Sequence, residues 1–442
     1  MSYELVLRGA TLMTPSGPRE ADVGVSGGKI AEIGTIAPEA GGETIHLGGA
    51  HVLPGLIDSQ VHFREPGLEH KEDLATGTAG AALGGITAIF EMPNTKPNTD
   101  TAERLSDKVQ RGRDKAFVDF AFFIGATAEN AEVLGELERL EGCSGVKIFM
   151  GSSTGSLLVA DDPTLERVLS SGSRRVAVHC EDEDRLIARR SLAEEGAAPR
   201  FHPVWRDVES ARLATERLLR VAARTGRRVH VLHVTTEEEV ELLSRHKAVA
   251  TMEVTPQHLT LEEDAYARLG TKAQMNPPIR GGRHRAALWR AVQKGIADVV
   301  GSDHAPHTLE EKARPYPQSP SGMPGVQTTV PLLLDAVAGG KLSLTRLVDL
   351  LAHGPCRIFG IAEKGRLAVG YDADFTIVDL KGETAITDAS MATRTGWTPF
   401  HGMTTRGRVL RTIVRGQTVM ADGELLPRIS AQPVRFQECL PR

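Results

Sequence analysis

From about residue 52 to residue 301 the chain repeats one alternation: a short apolar run, then a longer stretch of helical period. The apolar runs lie at 52–57, 86–92, 117–124, 145–149, 175–179, 228–233, 249–254 and 297–301. Between them come helix-like segments such as 71–83, 102–113, 207–224, 237–246 and 283–294. Apolar runs this short fit strands buried on both faces, and the helices between them make neighbouring strands parallel. Eight such units over roughly 300 residues predict an α/β fold, and a (β/α)8 TIM barrel rather than a doubly wound sheet.

The flanks have a different texture. Residues 3–50 break into short apolar runs between Gly and Pro turns, as in Glu4-Leu-Val-Leu7, Asp22-Val-Gly-Val25 and Lys29-Ile-Ala-Glu-Ile33. Similar runs return after about residue 362, in Asp374-Phe-Thr-Ile-Val378 and Val409-Leu-Arg-Thr-Ile-Val414. Both ends read as antiparallel strands. They predict one small, discontinuous β-sandwich domain, 1–53 with 362–442, beside a barrel of 54–361. A chain of 442 residues is too long for one core, so two units are expected anyway.

Composition removes several function classes. A net charge of -5 without long basic runs, and only 4% aromatic residues, argue against a nucleic-acid surface. No apolar run reaches the roughly 18 residues needed to cross a bilayer, and Met-Ser-Tyr-Glu-Leu lacks a signal-peptide layout. Cys143, Cys180, Cys356 and Cys439 are scattered without CxxC spacing and read as reduced thiols. A cytoplasmic protein with a small-molecule substrate is expected, with neither nucleic acid nor membrane as partner.

In barrels of this kind chemistry sits at the C-terminal strand ends. His62, Asn94, Lys147, His179, His233, Asn276 and Asp303 all fall there. Gln60 and His62 share one side of their strand, because side chains alternate with period two. His179 and His233 each close an apolar run, where an unpaired imidazole would be costly. Taken singly, a hydrogen-bonded core histidine explains each equally well; together with His62 they favour metal ligation. His46, His70, His246, His284, His353 and His401 lie in turns or polar segments and are read as structurally ordinary.

Lys147, in Gly145-Val-Lys-Ile-Phe-Met150, stands inside a strand, where an ammonium loses its proton or finds a partner. It could reach the barrel mouth, pair with Asp303, or take up CO2 as a carbamate that bridges two cations. Asp303 is a candidate metal ligand and proton shuttle. The alternative, a helix N-cap, is weakened by Pro306 close behind. Arg64 and Asn94 follow the first two strands, and an arginine fork suits a substrate carboxylate. A salt bridge from Arg64 to Glu65 or Glu69 is the plainer account. Residues 308–325, rich in Pro and Gly, predict a mobile loop over the mouth.

His62-Phe-Arg-Glu-Pro-Gly67, Glu91-Met-Pro-Asn-Thr95, Met275-Asn-Pro-Pro278 and Gly301-Ser-Asp-His-Ala-Pro-His307 carry a resemblance that spans nearly the whole chain. In these motifs the chain resembles the cyclic amidohydrolase branch of the amidohydrolase superfamily, and within it the dihydroorotases. The resemblance implies a barrel holding one or two zinc ions. It also implies the reversible hydrolysis of (S)-dihydroorotate to N-carbamoyl-L-aspartate in pyrimidine biosynthesis, with a metal-activated hydroxide attacking the cyclic amide.

Carried over by position, His62 and Asp303 would hold the more buried ion, and His179 and His233 the more exposed one. Lys147, N6-carboxylated, would bridge both, and Asp303 would also be catalytic. Arg64, Asn94 and His307 would take the substrate carboxylate, and Asn276 the ring. His258 matches a position of less certain role. A homo-oligomer is expected, with aspartate transcarbamoylase a candidate associate.

Gln60 departs from the resemblance, which has His there. Three outcomes follow: two metals held through the remaining ligands, one metal with activity kept, or a barrel that is catalytically inactive. The alternatives in function are an allantoinase- or hydantoinase-like activity, or an inactive homologue that supports a partner.

Overall fold

The computed structural model describes residues 3–38, 41–153, 157–196 and 198–439, with the backbone alone for 195, 196 and 439. The expected thiol of Cys439 therefore lies outside the described side chains.

The N-terminal strands are β1 (Leu5–Thr14), β2 (Gly17–Ser26), β3 (Lys29–Gly34), β4 (Glu43–His46) and β5 (His51–Pro54). The barrel strands follow: β6 (Leu56–Val61), β7 (Ile86–Glu91), β8 (Asp119–Gly125), β9 (Cys143–Phe149), β10 (Val176–His179), β11 (Val229–Val231), β12 (Ala250–Val254) and β13 (Val299–Val300). These eight form one parallel sheet in sequential order. It closes just beyond the short β13: Val61 bridges His304, and the His62 N–H donates to the His304 carbonyl at 2.7 Å. The barrel is therefore complete.

The run 52–57, read above as one strand, is two. It breaks at Gly55, where a Cβ would lie 2.4 Å from both Thr87 Oγ1 and Asp374 Cβ. The half before the break, β5, pairs with β1 and with β14 (Phe375–Ala385), while the half after it opens the barrel. Single-file hydrophobicity cannot register a change of sheet inside one apolar run. Two other strands end early for a different reason. Backbone φ turns positive at His233 (36°) and Asp303 (45°), so these residues leave the ladder and aim inward.

The expected helices form at Leu74–Leu83, Ala102–Lys115, Val208–Thr225, Glu237–Arg245 and Gly282–Gln293. Four of the five starts are chemical: Asp73, Thr101, Asp207 and Thr236 each accept from a first-turn backbone N–H. Gly226, at φ +69°, ends the longest of the five.

β15 (Thr404–Val414), β16 (Gln417–Ala421) and β17 (Glu424–Leu425) complete a second, nine-stranded sheet built from both chain ends. Leu5, Leu7, Val23, Val25, Phe375, Ile377 and Ile413 form its core. The stretch after β17 returns to the barrel floor, where Val434 and Phe436 pack with Phe90, Phe123 and Phe359. Beside it Lys364 Nζ meets Asp119 at 2.8 Å, Asp372 at 3.0 Å and Asp374 at 2.7 Å, tying the strand-rich unit to the base of β8.

The 308–325 segment contains a short helix, Leu309–Lys312. Buried Lys312 donates to the carbonyls of Gln274, Pro320 and Gly322, so a segment expected to swing free is stapled across the mouth. Among the described residues no helix is long and apolar enough to cross a membrane.

Candidate active site

At the C-terminal end of the barrel, Gln60, His62, Lys147, His179, His233, Asn276 and Asp303 line one small cavity, closed on the loop side by Ser321 and Gly322. Six of these positions come from five strand ends that meet at the same rim, and Asn276, expected at a strand end, comes instead from the connection between β12 and β13. Three residues singled out from sequence carry positive φ: Arg64 (66°), His233 (36°) and Asp303 (45°). Non-glycine residues rarely adopt that region, and their clustering at one rim marks strain held in place by the surrounding packing.

The donors form two pairs. In the first, His62 Nε2 lies 3.2 Å from Asp303 Oδ1, and the Gln60 amide N–H donates to the same oxygen at 3.0 Å. His62 Nδ1 is 2.8 Å from Asn94 Oδ1, which fixes the ring with Nε2 toward the cavity. In the second, His179 Nδ1 meets His233 Nε2 at 3.0 Å. The far nitrogen of His179 is 2.9 Å from Glu181 Oε2, and Arg206 Nε donates to that carboxylate at 3.0 and 3.1 Å. Burial opposes charge on Glu181, but Arg206 and His179 outweigh it and hold the carboxyl well below its usual range.

Lys147 shares the cavity with both pairs. Its ammonium lies over the Phe149 ring, 4.3 Å from the centroid, and no carboxylate among the described residues pairs with it. Burial alone pushes the amine down to about 7. The expected alternative of a Lys147–Asp303 ion pair is not what forms. Burial likewise pushes the Asp303 carboxyl up to about 7 and the His62, His179 and His233 imidazoles down.

Beneath the cavity, buried Glu253 receives the His233 backbone N–H at 3.3 Å and the Ser59 hydroxyl at 3.3 Å. Burial raises that carboxyl to about 8 and the neighbouring Asp58 to about 7. Gly301 is required there, since a Cβ would sit 2.4 Å from Glu253 Oε2.

The donor set fits a cation in one respect. Among the described residues no three His, Cys, Asp or Glu side chains gather at ligand spacing. The acid and imidazole donors come as two pairs, and the further side chain available to both is Lys147. Among the described residues, buried Gln60 Oε1 and His233 Nδ1 have no hydrogen-bond partner. A carbamate on Lys147 would give each pair a third donor, an anionic one, and three protein donors is the number a catalytic zinc site uses.

The carboxylate set is arranged differently from the expectation. Arg64 is buried behind the cavity, with Nε donating to the Pro306 carbonyl at 3.2 Å and Nη2 3.3 Å from His307 Nε2. His307 in turn lies 3.1 Å from Lys71 Nζ. Neither Arg64 nor His307 lines the cavity, and Asn94 reaches it through His62. The salt bridges once considered for Arg64 do not form: Glu65 pairs with Arg111 and Lys115. His258 sits deeper still, 3.1 Å from the Pro277 carbonyl.

Sequence reasoning missed Glu181, Arg206 and His202. Glu181 carried a signal, standing two residues beyond His179 and so on the same side of the chain. His202 Nε2 lies 2.9 Å from Asn276 Oδ1, which turns the amide nitrogen of Asn276 toward Ser153 and the cavity. Arg206 and His202 belong to a helical insertion with no periodic cue to their direction.

The chain matches the sequence model of the Amidohydrolase family over residues 170–419 and that of the Dihydro-orotase-like family over residues 49–239. It is 36% identical to a dihydroorotase of Methanothermobacter thermautotrophicus, covering 92% of each chain. It is also 36% identical to an allantoinase of Deinococcus radiodurans, covering 96% of this chain and 97% of the relative. Among solved structures, an L-hydantoinase (dihydropyrimidinase) from Arthrobacter aurescens superposes with a TM-score of 0.93 at 29% identity, covering 98% of this chain and 99% of the other.

Proposed function

We propose, from the premise that this chain belongs to the amidohydrolase family, that it is a dihydroorotase: it hydrolyses (S)-dihydroorotate reversibly to N-carbamoyl-L-aspartate. The observation that carries the reading is the meeting of His62, Lys147, His179, His233 and Asp303 in one cavity at the chemically active end of the barrel. The catalytic unit in this reading is the barrel, 54–361, with 1–53 and 362–442 as its companion. It acts on a soluble metabolite in the cytoplasm. A homo-oligomer, and association with aspartate transcarbamoylase, belong to the same proposal; gel filtration of the chain alone and of the mixture reads both.

The residues divide the work. His62, His179, His233 and Asp303, with Lys147 as carbamate, would hold zinc, which when bound polarises the ring carbonyl and lowers the pKa of water. Asp303, its carboxyl raised by burial to about 7, takes a proton from the attacking water and returns it to the departing amide nitrogen. Asn276, its amide oriented by His202, presents an N–H donor to a ring oxygen. Arg64, with His307 and Asn94 beside it, supplies the positive charge that a substrate carboxylate seeks.

Asp303→Asn is expected to abolish turnover while leaving metal content largely intact; full activity in that variant removes Asp303 from the mechanism. Arg64→Met is expected to slow dihydroorotate far more than dihydrouracil, which lacks the carboxylate. Equal loss on both refutes the carboxylate assignment.

One observation favours a second reading, an allantoinase- or hydantoinase-like activity. Arg64 and His307 face each other rather than the cavity, an arrangement that also suits a ring without a carboxylate. A panel of dihydroorotate, allantoin, hydantoin and dihydrouracil separates the two by rank order of kcat/KM.

A further inference from the structure

The two donor pairs are not equivalent. In the Asp303 pair the carboxylate already carries a hydrogen bond from a neighbouring amide. An amide oxygen can only accept, so the contact with Asn94 places the proton of His62 on Nδ1 and leaves Nε2 facing Asp303 Oδ1. The same Oδ1 receives the Gln60 N–H. An N–H bond from a buried amide therefore occupies the side of Asp303 from which a cation would bind. The amide gains nothing by turning round: its oxygen is buried without a partner now, and its nitrogen would be so afterwards. An amide oxygen is also a hard, neutral donor, poorly matched to a borderline-soft ion such as zinc.

In the His179–His233 pair the situation is reversed. Glu181 accepts only, so the proton of His179 stays on Nε2 and its Nδ1 lone pair is aimed into the cavity. Arg206 locks Glu181 in turn. His179 Nδ1 faces another imidazole nitrogen at 3.0 Å, and the far nitrogen of that ring is buried without a partner. The one proton between these nitrogens is the imidazole's own, carried by His233 Nε2, and its shift to the far Nδ1 frees both nitrogens for a cation.

From this asymmetry we infer that the chain holds one divalent cation, not two, on Lys147, His179 and His233, with the Gln60 amide standing beside Asp303 where a second would be. The inference rests on the hydrolase reading above and deepens it.

The test is metal content, by elemental analysis, of the whole chain saturated with zinc and bicarbonate and then desalted, alongside dihydroorotate turnover on the same samples. The parent chain should retain one zinc, and Gln60→His should retain two. His179→Gln should retain none while His62→Gln keeps the one, with circular dichroism confirming that each variant is folded. If either histidine variant fails to fold, the Gln60→His gain is the deciding result.

Two zinc ions in the parent chain, or loss of the single ion in His62→Gln but not in His179→Gln, overturns the inference while leaving the hydrolase reading intact. One ion at the His179 side in a chain that turns over no cyclic amide does the opposite. No zinc in the parent overturns the inference outright, and the turnover measurement then decides the function by itself.

Discussion

Two buried lysines stand at opposite ends of the same barrel. At the floor, Lys364 is ringed by Asp119, Asp372 and Asp374, and these carboxylates overcome the cost of burial and raise its pKa. At the mouth, Lys147 is equally buried, has an aromatic ring for company, and is pushed down to about 7. The floor shows that this fold can satisfy a buried ammonium completely. The mouth shows that at Lys147 it does not, which is the pattern of a group kept reactive rather than one kept for cohesion. Lys364 joins two sheets; Lys147 joins none.

Removing each lysine in turn is the strongest way to break that contrast. Lys147→Met is expected to cut kcat on dihydroorotate by about 10³-fold or more, since a bridging donor supports several kcal/mol of transition-state stabilisation. Melting temperature should hold or rise in the same variant. If turnover survives, the mouth lysine is merely an unsatisfied core residue. Lys364→Met should do the reverse, destabilising the fold by roughly 3–5 kcal/mol because buried carboxylates lose their shared cation. Its kcat per folded molecule should stay at the parent value, measured by active-site titration after a denaturant series.

The mouth has one element built like the floor, the Glu181–Arg206 pair behind His179. Glu181→Gln keeps the shape but weakens the hold on the ring proton, and a metal affinity about 10–100-fold lower is expected from a competition assay. Unchanged affinity would mean that His179 is oriented by packing alone.

The smallest effect is in pH, and the two lysines have opposite signs. The folded pKa of Lys147 lies below its unfolded value of 10.5, so its penalty is full below about pH 7 and fades as pH rises toward 10.5. The slope is at most about 1.4 kcal/mol per pH unit. Lys364 lies above 10.5, so its contribution is present throughout that window and is lost only at still higher pH. In metal-free protein the stability gap between Lys147→Met and the parent should therefore narrow from pH 7 to pH 10. A gap that widened would reverse the sign assigned to Lys147.

Much of this was open to reading before any coordinates. The eight barrel strands follow from apolar runs that must be buried on both faces, and the helix starts from Asp and Thr caps. His62, Lys147, His179, His233 and Asp303 could be singled out because polar groups at the end of apolar runs need partners, and Asn276 through Met275-Asn-Pro-Pro278; all of them reach one cavity. The change of sheet at Gly55 could not, since both halves of that run are equally apolar. Nor could the direction of Arg64, whose positive φ turns it toward Pro306 and His307. His202 and Arg206 act across 74 and 25 residues of chain, on Asn276 and Glu181, and no local period encodes such reach.

The sequence by itself determined the barrel, the rim and which side chains would stand on it, because burial and periodicity are properties of neighbours along the chain. Only the tertiary structure decided how those side chains pair: Gln60 with Asp303, Asn94 with His62, Glu181 with His179, and Lys147 with no carboxylate among the described residues. Hydrogen bonds and ion pairs have meaning only at distances of a few ångströms. Those distances are set by strands that meet in the closed barrel and lie far apart in the chain.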